Sequence, residues 1–372
     1  VGFNKAYATI VDGNVTTLVG TLLLFMFGTG PVRGFAITMM IGIVISMFTS
    51  ITVVRAMMHE LVIRQKLKKI EIHSIIGKVP SIPTFSFMRG RFVAIGMSAF
   101  LSISSVILFF HPGLNYGIDF VGGIQVEATS KQPLDLAAMR SKLEELNLGE
   151  VALQDFDQGK SVLVRVQRQE GGEAQQTVAL NAIKTAVGEV IPDATFERTE
   201  VVGPTISAEL ARSGFLAVGL AMLAILIYIW WRFEWHFAVG AIATLILDIT
   251  KMIGFFALTG IDFNLTAIAA VLTLIGYSVN DKVVVYDRMR ENLRKYKTMP
   301  FSELIDLSIN QVIMRCIFTS VAILASLVPM AIWGGDPVKP FAWPMVFGVV
   351  VATTSSIYIG GPILLFLSRW WK

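Results

Sequence analysis

Six ionisable side chains interrupt stretches that are otherwise apolar. They are Asp12 in "VDGNVTTLVGTLLLF", Asp248 and Lys251 in "LILDITKMIGFF", Asp281 and Lys282 in "IGYSVNDKVVVY", and Arg315 in "VIMRCIFTSVAIL". In lipid such a group costs roughly 2.5–3.5 kcal/mol on insertion scales, so it faces a bundle interior, finds a partner and is a functional candidate by default. The chemistry open to these residue types is proton transfer.

Asp248 and Lys251 are three residues apart, which puts them on one helical face and predicts a local, mutually neutralising pair. Asp281 and Lys282 point about 100° apart on a helix and cannot share a face. Lys282 is expected to snorkel toward the nearby cytoplasmic interface, which leaves Asp281 to seek a partner elsewhere. Arg315 lies at similar depth on the next span. Desolvation favours a protonated acid and a nearby guanidinium favours the carboxylate, so movement of Arg315 would switch Asp281 between holding and releasing a proton. A fixed salt bridge locking two helices is the alternative. Tyr277, Ser278, Asn280, Thr319 and Ser320 favour the relay, because their polar groups can hold water beside the carboxyl. A static bridge has no use for such a path.

The surrounding composition requires a membrane. The 372 residues are 54% hydrophobic and 16% charged, with a mean hydropathy of +0.66, where soluble domains carry about 25% charged residues. A span takes roughly 20 apolar residues. Eight stretches qualify: about 11–29, 34–54, 92–110, 210–231, 236–259, 264–286, 312–332 and 341–366. A hydrophilic insert, about 111–205, interrupts them. The single cysteine, Cys316, and four scattered histidines exclude a disulfide framework and a metal-ligand cluster. No phosphate-binding loop of the G-x-x-x-x-G-K-[ST] type is present. No serine, cysteine or histidine stands in a nucleophile–base arrangement, which argues against an enzyme.

Lys and Arg of the short connections set the orientation. Arg55, Arg64, Lys66, Lys68, Lys69, Lys78, Arg89 and Arg91 follow the second span, and Arg288, Arg290, Arg294, Lys295 and Lys297 follow the sixth. Both connections are expected in the cytoplasm, whereas "GTGPVRG", "TGIDFN" and "GGDPVKP" are poor in basic residues. Both chain ends are then cytoplasmic and the insert external. This bias accounts for the net charge of +4 without a nucleic-acid partner. The absence of an initiator Met before a nearly immediate first span suggests the later part of something longer.

Within the insert the pattern becomes soluble alternation. "GIQVEAT" (123–129), "EVALQDFD" (150–157), "SVLVRVQR" (161–168) and "TFERTEVVG" (195–203) read as strands, and 135–147 and 174–191 as helices. The order β-α-β-β-α-β predicts a ferredoxin-like α+β domain, which serves either as a passive cap or as a polypeptide-handling surface.

Residues 7–36 align with 310–342, with three residues inserted, so that Asp12 falls against Arg315, Thr16-Thr17 against Thr319-Ser320, and "GPVRGFA" against "DPVKPFA". Such a repeat predicts a duplicated membrane unit with both copies in the same orientation.

"GIDFVGG" (117–123), with Gly117, Asp119, Gly122 and Gly123, together with "GYSVNDKVVVYDRMREN" (276–292) and "DGNVTTLVGTLLLFMFGTGPVRGFA" (12–36), resembles the SecD and SecF proteins of bacterial protein export, of the resistance-nodulation-division superfamily. The resemblance covers essentially the whole chain. It divides the chain into two closing helices of a SecD-like half (1–60), a cytoplasmic basic linker (61–90), a first SecF-like helix (91–110), a periplasmic ferredoxin-like domain (111–205) and a five-helix SecF-like bundle (206–372). The expected fold class is thus an α-helical polytopic membrane protein with eight transmembrane helices and one extracytoplasmic α+β domain. The resemblance also implies a place in the bacterial inner membrane and association with the SecYEG channel, with YajC and YidC as neighbours. It implies use of the proton gradient to draw out preproteins delivered by SecA, with protons as coupling ion and no cofactor. The essential aspartate and arginine of SecF-type proteins fall on Asp281 and Arg315. The SecD-type transmembrane aspartate and large external domains have no counterpart after Val1. A small-molecule efflux transporter of the same superfamily and a purely structural scaffold remain as competing functions.

Overall fold

The computed structural model describes residues 2–27, 30–63, 85–130, 134–149, 151–156, 160–169, 171–334 and 338–368. Most of the basic linker expected over 61–90 lies outside them, as do parts of two outer turns and the closing "RWWK". The chain divides into two compact units. One comprises 1–114, 216–261 and 266–372, the other Asn115–Phe215 together with Asp262–Leu265.

The second unit holds a short helix α5 (Ile118–Val121), then β1 (Gly123–Thr129), α6 (Leu136–Glu144), β2 (Val151–Phe156), β3 (Ser161–Val166), α7 (Glu173–Val190) and β4 (Thr195–Val202). The sheet order is β2-β3-β1-β4, and every neighbouring pair is antiparallel. Period-2 alternation sends Ile124, Val126 and Ala128 of β1 and Val162, Val164 and Val166 of β3 into one core. Met139 and Leu143 of α6 and Ala179, Ile183 and Val187 of α7 close it from the helical side. Register places Val126 opposite Val164 and Gln125 opposite Arg165, so Gln125, Glu127, Leu163 and Arg165 belong to the face away from the helices. Asp135 caps α6, accepting from the amides of Ala137 and Ala138 at 3.1 and 3.0 Å, a bond worth about 1 kcal/mol.

Gly122 and Gly123 join α5 to β1 at φ 76° and 137°, a region closed to residues with a Cβ. A Cβ on Gly123 would also stand 2.5 Å from the Val166 carbonyl oxygen. The glycine pair of "GIDFVGG" is therefore a backbone requirement of the strand entry.

The first unit is helical. Among the described residues, seven helices are long and apolar enough to cross a membrane: Arg33–Val62, Phe87–Phe110, Thr205–Arg232, Trp235–Thr259, Leu265–Lys295, Phe301–Trp333 and Lys339–Leu367. That is one fewer than expected. The stretch anticipated at 11–29 forms α1 (Gly2–Phe27), whose apolar part, Ile10–Met26, is shorter. The next three helices are α2 (Gly30–Phe48), α3 (Val54–Ile63) and α4 (Arg91–Phe110). After the sheet-bearing insert come α8 (Pro204–Arg232), α9 (Trp235–Thr259), α10 (Leu265–Lys295) and α11 (Phe301–Trp333). The last span divides into α12 (Lys339–Tyr358) and α13 (Gly360–Leu367). Pro362 lies in the first turn of α13 and has no amide to donate back to Tyr358, which interrupts the helical ladder there.

α10 is the centre of this unit, with 89% of its apolar window buried against 17% for Phe87–Phe110. Small residues let its neighbours come close. A Cβ on Gly13 of α1 would overlap the Asn280 side chain, one on Gly276 would stand 2.9 Å from Thr17 Cα, and one on Gly20 3.1 Å from the Leu272 carbonyl oxygen. Positions rising along α1 thus meet positions falling along α10, and the two helices pack antiparallel. Likewise, the buried residues of α4 are serines, Ser98, Ser102 and Ser105, and Ser105 lies where Gly254 of α9 leaves room.

Candidate functional site

Asp281 lies on the buried side of α10 with 3% exposure, and its Oδ2 has no hydrogen-bond partner among the described residues. The charges acting on it are those of Lys282 and Arg315, and the Thr319 and Tyr277 hydroxyls are its polar neighbours. A band of hydroxyls continues from there. The Tyr277 hydroxyl is 2.7 Å from Ser320 Oγ and 3.5 Å from Thr353 Oγ1, and Ser320 Oγ is 2.7 Å from Thr353 Oγ1. Three helices, α10, α11 and α12, therefore contribute to one polar interior beside an acid.

Arg315 is exposed and forms no ion pair with any described carboxylate. Its charge nonetheless acts on the Asp281 carboxyl. Thr319 hydrogen-bonds back to the carbonyls of Arg315 and Cys316, both at 3.0 Å. Asn280, next to Asp281, is pressed against Gly13 of α1.

Lys282 corrects the sequence reading. It does not snorkel but is fully buried, and its Nζ donates to Asp248 Oδ2 at 2.9 Å. It also donates to the Ser278 carbonyl at 3.2 Å and to Ser278 Oγ. Ser278 and Lys282 are one helical turn apart and face α9 together. The same Asp248 oxygen accepts from Ser278 Oγ at 2.8 Å and from Ser355 Oγ of α12 at 2.7 Å. The local Asp248–Lys251 pair expected from spacing is correspondingly loose, with Lys251 Nζ 4.0 Å from Asp248 Oδ1. A partner one helix away matches the carboxylate better than one on its own helix, because the long lysine side chain reaches across the interface while Lys251 runs alongside.

Asp12 is tied to α8. The Arg232 Nε donates to its Oδ2 at 2.9 Å and the Tyr228 hydroxyl to its Oδ1 at 2.7 Å. Arg232 had no role in the sequence reading, since a charge closing a span reads as an interfacial residue. Its only signal was the internal repeat, which marked Asp12 as a polar position inside a packed helix.

In the sheet-bearing unit, the carboxylate of Asp119 accepts from the Leu265 amide at 3.0 Å, and Gly117, Gly122 and Gly123 shape the chain around it. Burial pushes the Asp119 carboxyl above the ordinary carboxylate range, against the bond from Leu265, with Glu200 and Asp262 adding to the rise and Arg198 opposing it. Asp262 and Arg165, which pair here, were not singled out from sequence. "TGIDFN" attracted notice only for lacking basic residues.

Two family models match. Residues 182–370 match the model described as "Protein export membrane protein SecD/SecF, C-terminal", and residues 107–134 match the "SecD/SecF GG Motif". The chain is 41% identical over 366 residues to the protein translocase subunit SecDF of Brucella abortus, covering 98% of this chain and 48% of that protein. It is 42% identical over 294 residues to the protein translocase subunit SecF of Cereibacter sphaeroides, covering 77% of this chain and 91% of that one. The crystal structure of SecDF from Thermus thermophilus, titled a translocon-associated membrane protein, superposes with a TM-score of 0.88 at 30% identity, over 99% of this chain and 49% of the other. A SecDF crystal structure in a "Super-membrane-facing form" gives 0.73. The chain thus spans about half the length of the SecDF proteins it resembles and nearly all of a SecF. With a family model over half its length and close relatives at this coverage, the chain belongs to the SecD/SecF family of protein-export membrane proteins.

Proposed function

We propose that this chain is the SecF-type portion of a Sec translocase accessory protein that draws on the proton-motive force to promote preprotein export. Asp281 carries the proton and Arg315 is the switch that approaches and leaves it. The observation that carries the reading is the Asp281 carboxyl itself, buried in the central helix with one oxygen unpartnered beside a chain of hydroxyls. Unlike Asp248, whose Oδ2 is paired with the Lys282 ammonium, Asp281 makes no ion pair among the described residues.

The membrane-spanning helices lie in the bacterial inner membrane with both ends on the cytoplasmic side, as the basic connections favour, and the sheet domain on the periplasmic side. SecYEG, YajC and YidC are the expected neighbours, and preproteins driven by SecA the substrate. Protons serve as coupling ion and no cofactor takes part. No reaction is catalysed. Drug efflux, the competing transport function, finds no support in relatives named as protein translocase subunits.

The experiment is preprotein export in membrane vesicles carrying the full-length protein under an imposed proton gradient. Asp281→Asn and Arg315→Met are each expected to remove the gradient-dependent component and to spare export driven by ATP alone. Export that responds to the gradient equally in wild type and Asp281→Asn would overturn the relay.

A further inference from the structure

The turn between α9 and α10 is built into the external domain. Residues Asp262–Leu265 cluster with Asn115–Phe215, and the contacts responsible are specific. Phe263 donates its amide to the Asn115 carbonyl at 2.7 Å and accepts from the Gly117 amide at 2.9 Å, which makes a small parallel bridge at Tyr116 and Phe263. Asp262 holds two side chains, taking Asn115 Nδ2 on Oδ1 at 2.7 Å and the Arg165 guanidinium on Oδ2. Phe263 is buried between Tyr116 and Phe120, with ring centroids at 6.3 and 5.9 Å. Gly117 permits this approach, since a Cβ there would stand 2.8 Å from Asn264 Cβ.

The last contact falls on a helix end. Leu265 is the first residue of α10, and its amide is one of the orphan donors of a helix N-terminus. Asp119 Oδ2 accepts it at 3.0 Å. The acid of "GIDFVGG" therefore caps, from 146 positions away in sequence, the helix that carries Asn280, Asp281 and Lys282. Arg165 comes from β3 on the sheet face opposite the helices, so strand, motif and turn converge on four residues.

We propose that Asp119, Asn115 and Arg165 form a clamp that makes the α9–α10 turn one body with the external domain, and that Asp119 is the positioning residue for the first turn of α10. The clamp does not rest on the proton-coupled reading.

Amide hydrogen exchange on the full-length protein tests it. Asp119→Ala together with Arg165→Met is expected to raise exchange at the Phe263 and Leu265 amides at least tenfold. Asp119→Asn alone, which keeps an acceptor oxygen, is expected to stay within about twofold of wild type. Unchanged exchange in the double variant, or exchange in Asp119→Asn as fast as in the double variant, would overturn the clamp whatever Asp281 does. In a second arm, Asn115→Cys with Asp262→Cys replaces the side-chain contact by a disulfide. If the turn and domain move as one, oxidation leaves gradient-dependent export as it is in the reduced protein. Loss of export on oxidation, restored by reduction, would show that the contact must open and would equally overturn the proposal. Failure of the relay alone would instead appear as gradient-independent export with the exchange pattern intact.

Discussion

Lys282 reaches from α10 to place its ammonium 2.9 Å from Asp248 on α9, with both side chains fully buried. This pair engages the Lys282 ammonium, which acts on the adjacent Asp281 through its charge alone. The two acids of the bundle thereby differ in their pairing: Asp248 is ion-paired to a lysine of another helix, Asp281 makes no ion pair among the described residues, and each keeps one oxygen without a hydrogen bond.

Removing Lys282 leaves the buried Asp248 with only the looser Lys251 contact, at 4.0 Å, as counter-charge. Lys282→Met is expected to destabilise the folded protein by about 3–5 kcal/mol, and Lys282→Met with Asp248→Asn to recover most of that loss. Unfolding in detergent followed by tryptophan fluorescence checks it. Equal destabilisation in the single and double variants would show that the pair is not what holds Lys282 inside.

The close approach of α1 to α10 depends on glycine. Gly276→Val forces a side chain against Thr17, whose Cα lies only 2.9 Å from the place the new Cβ must take, and an overpacked interface typically costs about 1–3 kcal/mol. Lowered thermal stability is expected, with Gly34→Val, where no atom lies within 4 Å of an added Cβ, as a near-neutral control. Equal loss in both variants would count against tight packing at Gly276.

Asp12 is fixed by two donors from α8. Asp12→Ala frees Arg232 and Tyr228 together and is expected to cost about 1–3 kcal/mol, the range for hydrogen bonds to a charged group, with the half-exposed Arg232 drawing it to the lower end. Asp12→Asn retains an acceptor for Tyr228 and should lose less. Denaturant titration of the three proteins distinguishes a pinned carboxylate from a bystander, which would show no difference between Asn and Ala.

Burial raises the Asp119 carboxyl above its ordinary value, and the sign of the pH dependence follows. A carboxyl whose folded-state pKa is raised stabilises the folded protein fully below the unfolded value of about 3.9, and that contribution is lost as pH rises through the folded value. Wild type is therefore expected to lose stability relative to Asp119→Asn as pH rises above about 4. Thermal unfolding of both proteins across that range checks it, and a constant difference would contradict it.

Much of this architecture is legible in the residues. Alternation alone gave the strand Gly123–Thr129 with its observed bounds, because one face of a half-covered sheet must be apolar. The spans are legible because lipid permits few other sequences. The partners of the buried charges are not. Local spacing favoured Lys251 for Asp248, whereas the closer partner comes from another helix, and helix-to-helix register leaves no mark in a single sequence. Arg165 and Asp262 are 97 positions apart and each resembles an ordinary surface charge until the turn folds against the sheet. That Asp281 is buried was legible, because a carboxyl inside an apolar span must turn from lipid.

The most direct measurement is proton entry into liposomes containing the full-length protein and the translocation channel, followed with a trapped pH-sensitive dye after an acid pulse. Wild type is expected to admit protons during preprotein movement, Asp281→Glu to retain part of that flux, and Asp281→Asn to reduce it to the level of protein-free liposomes. Flux in Asp281→Asn equal to wild type would contradict proton carriage at this carboxyl.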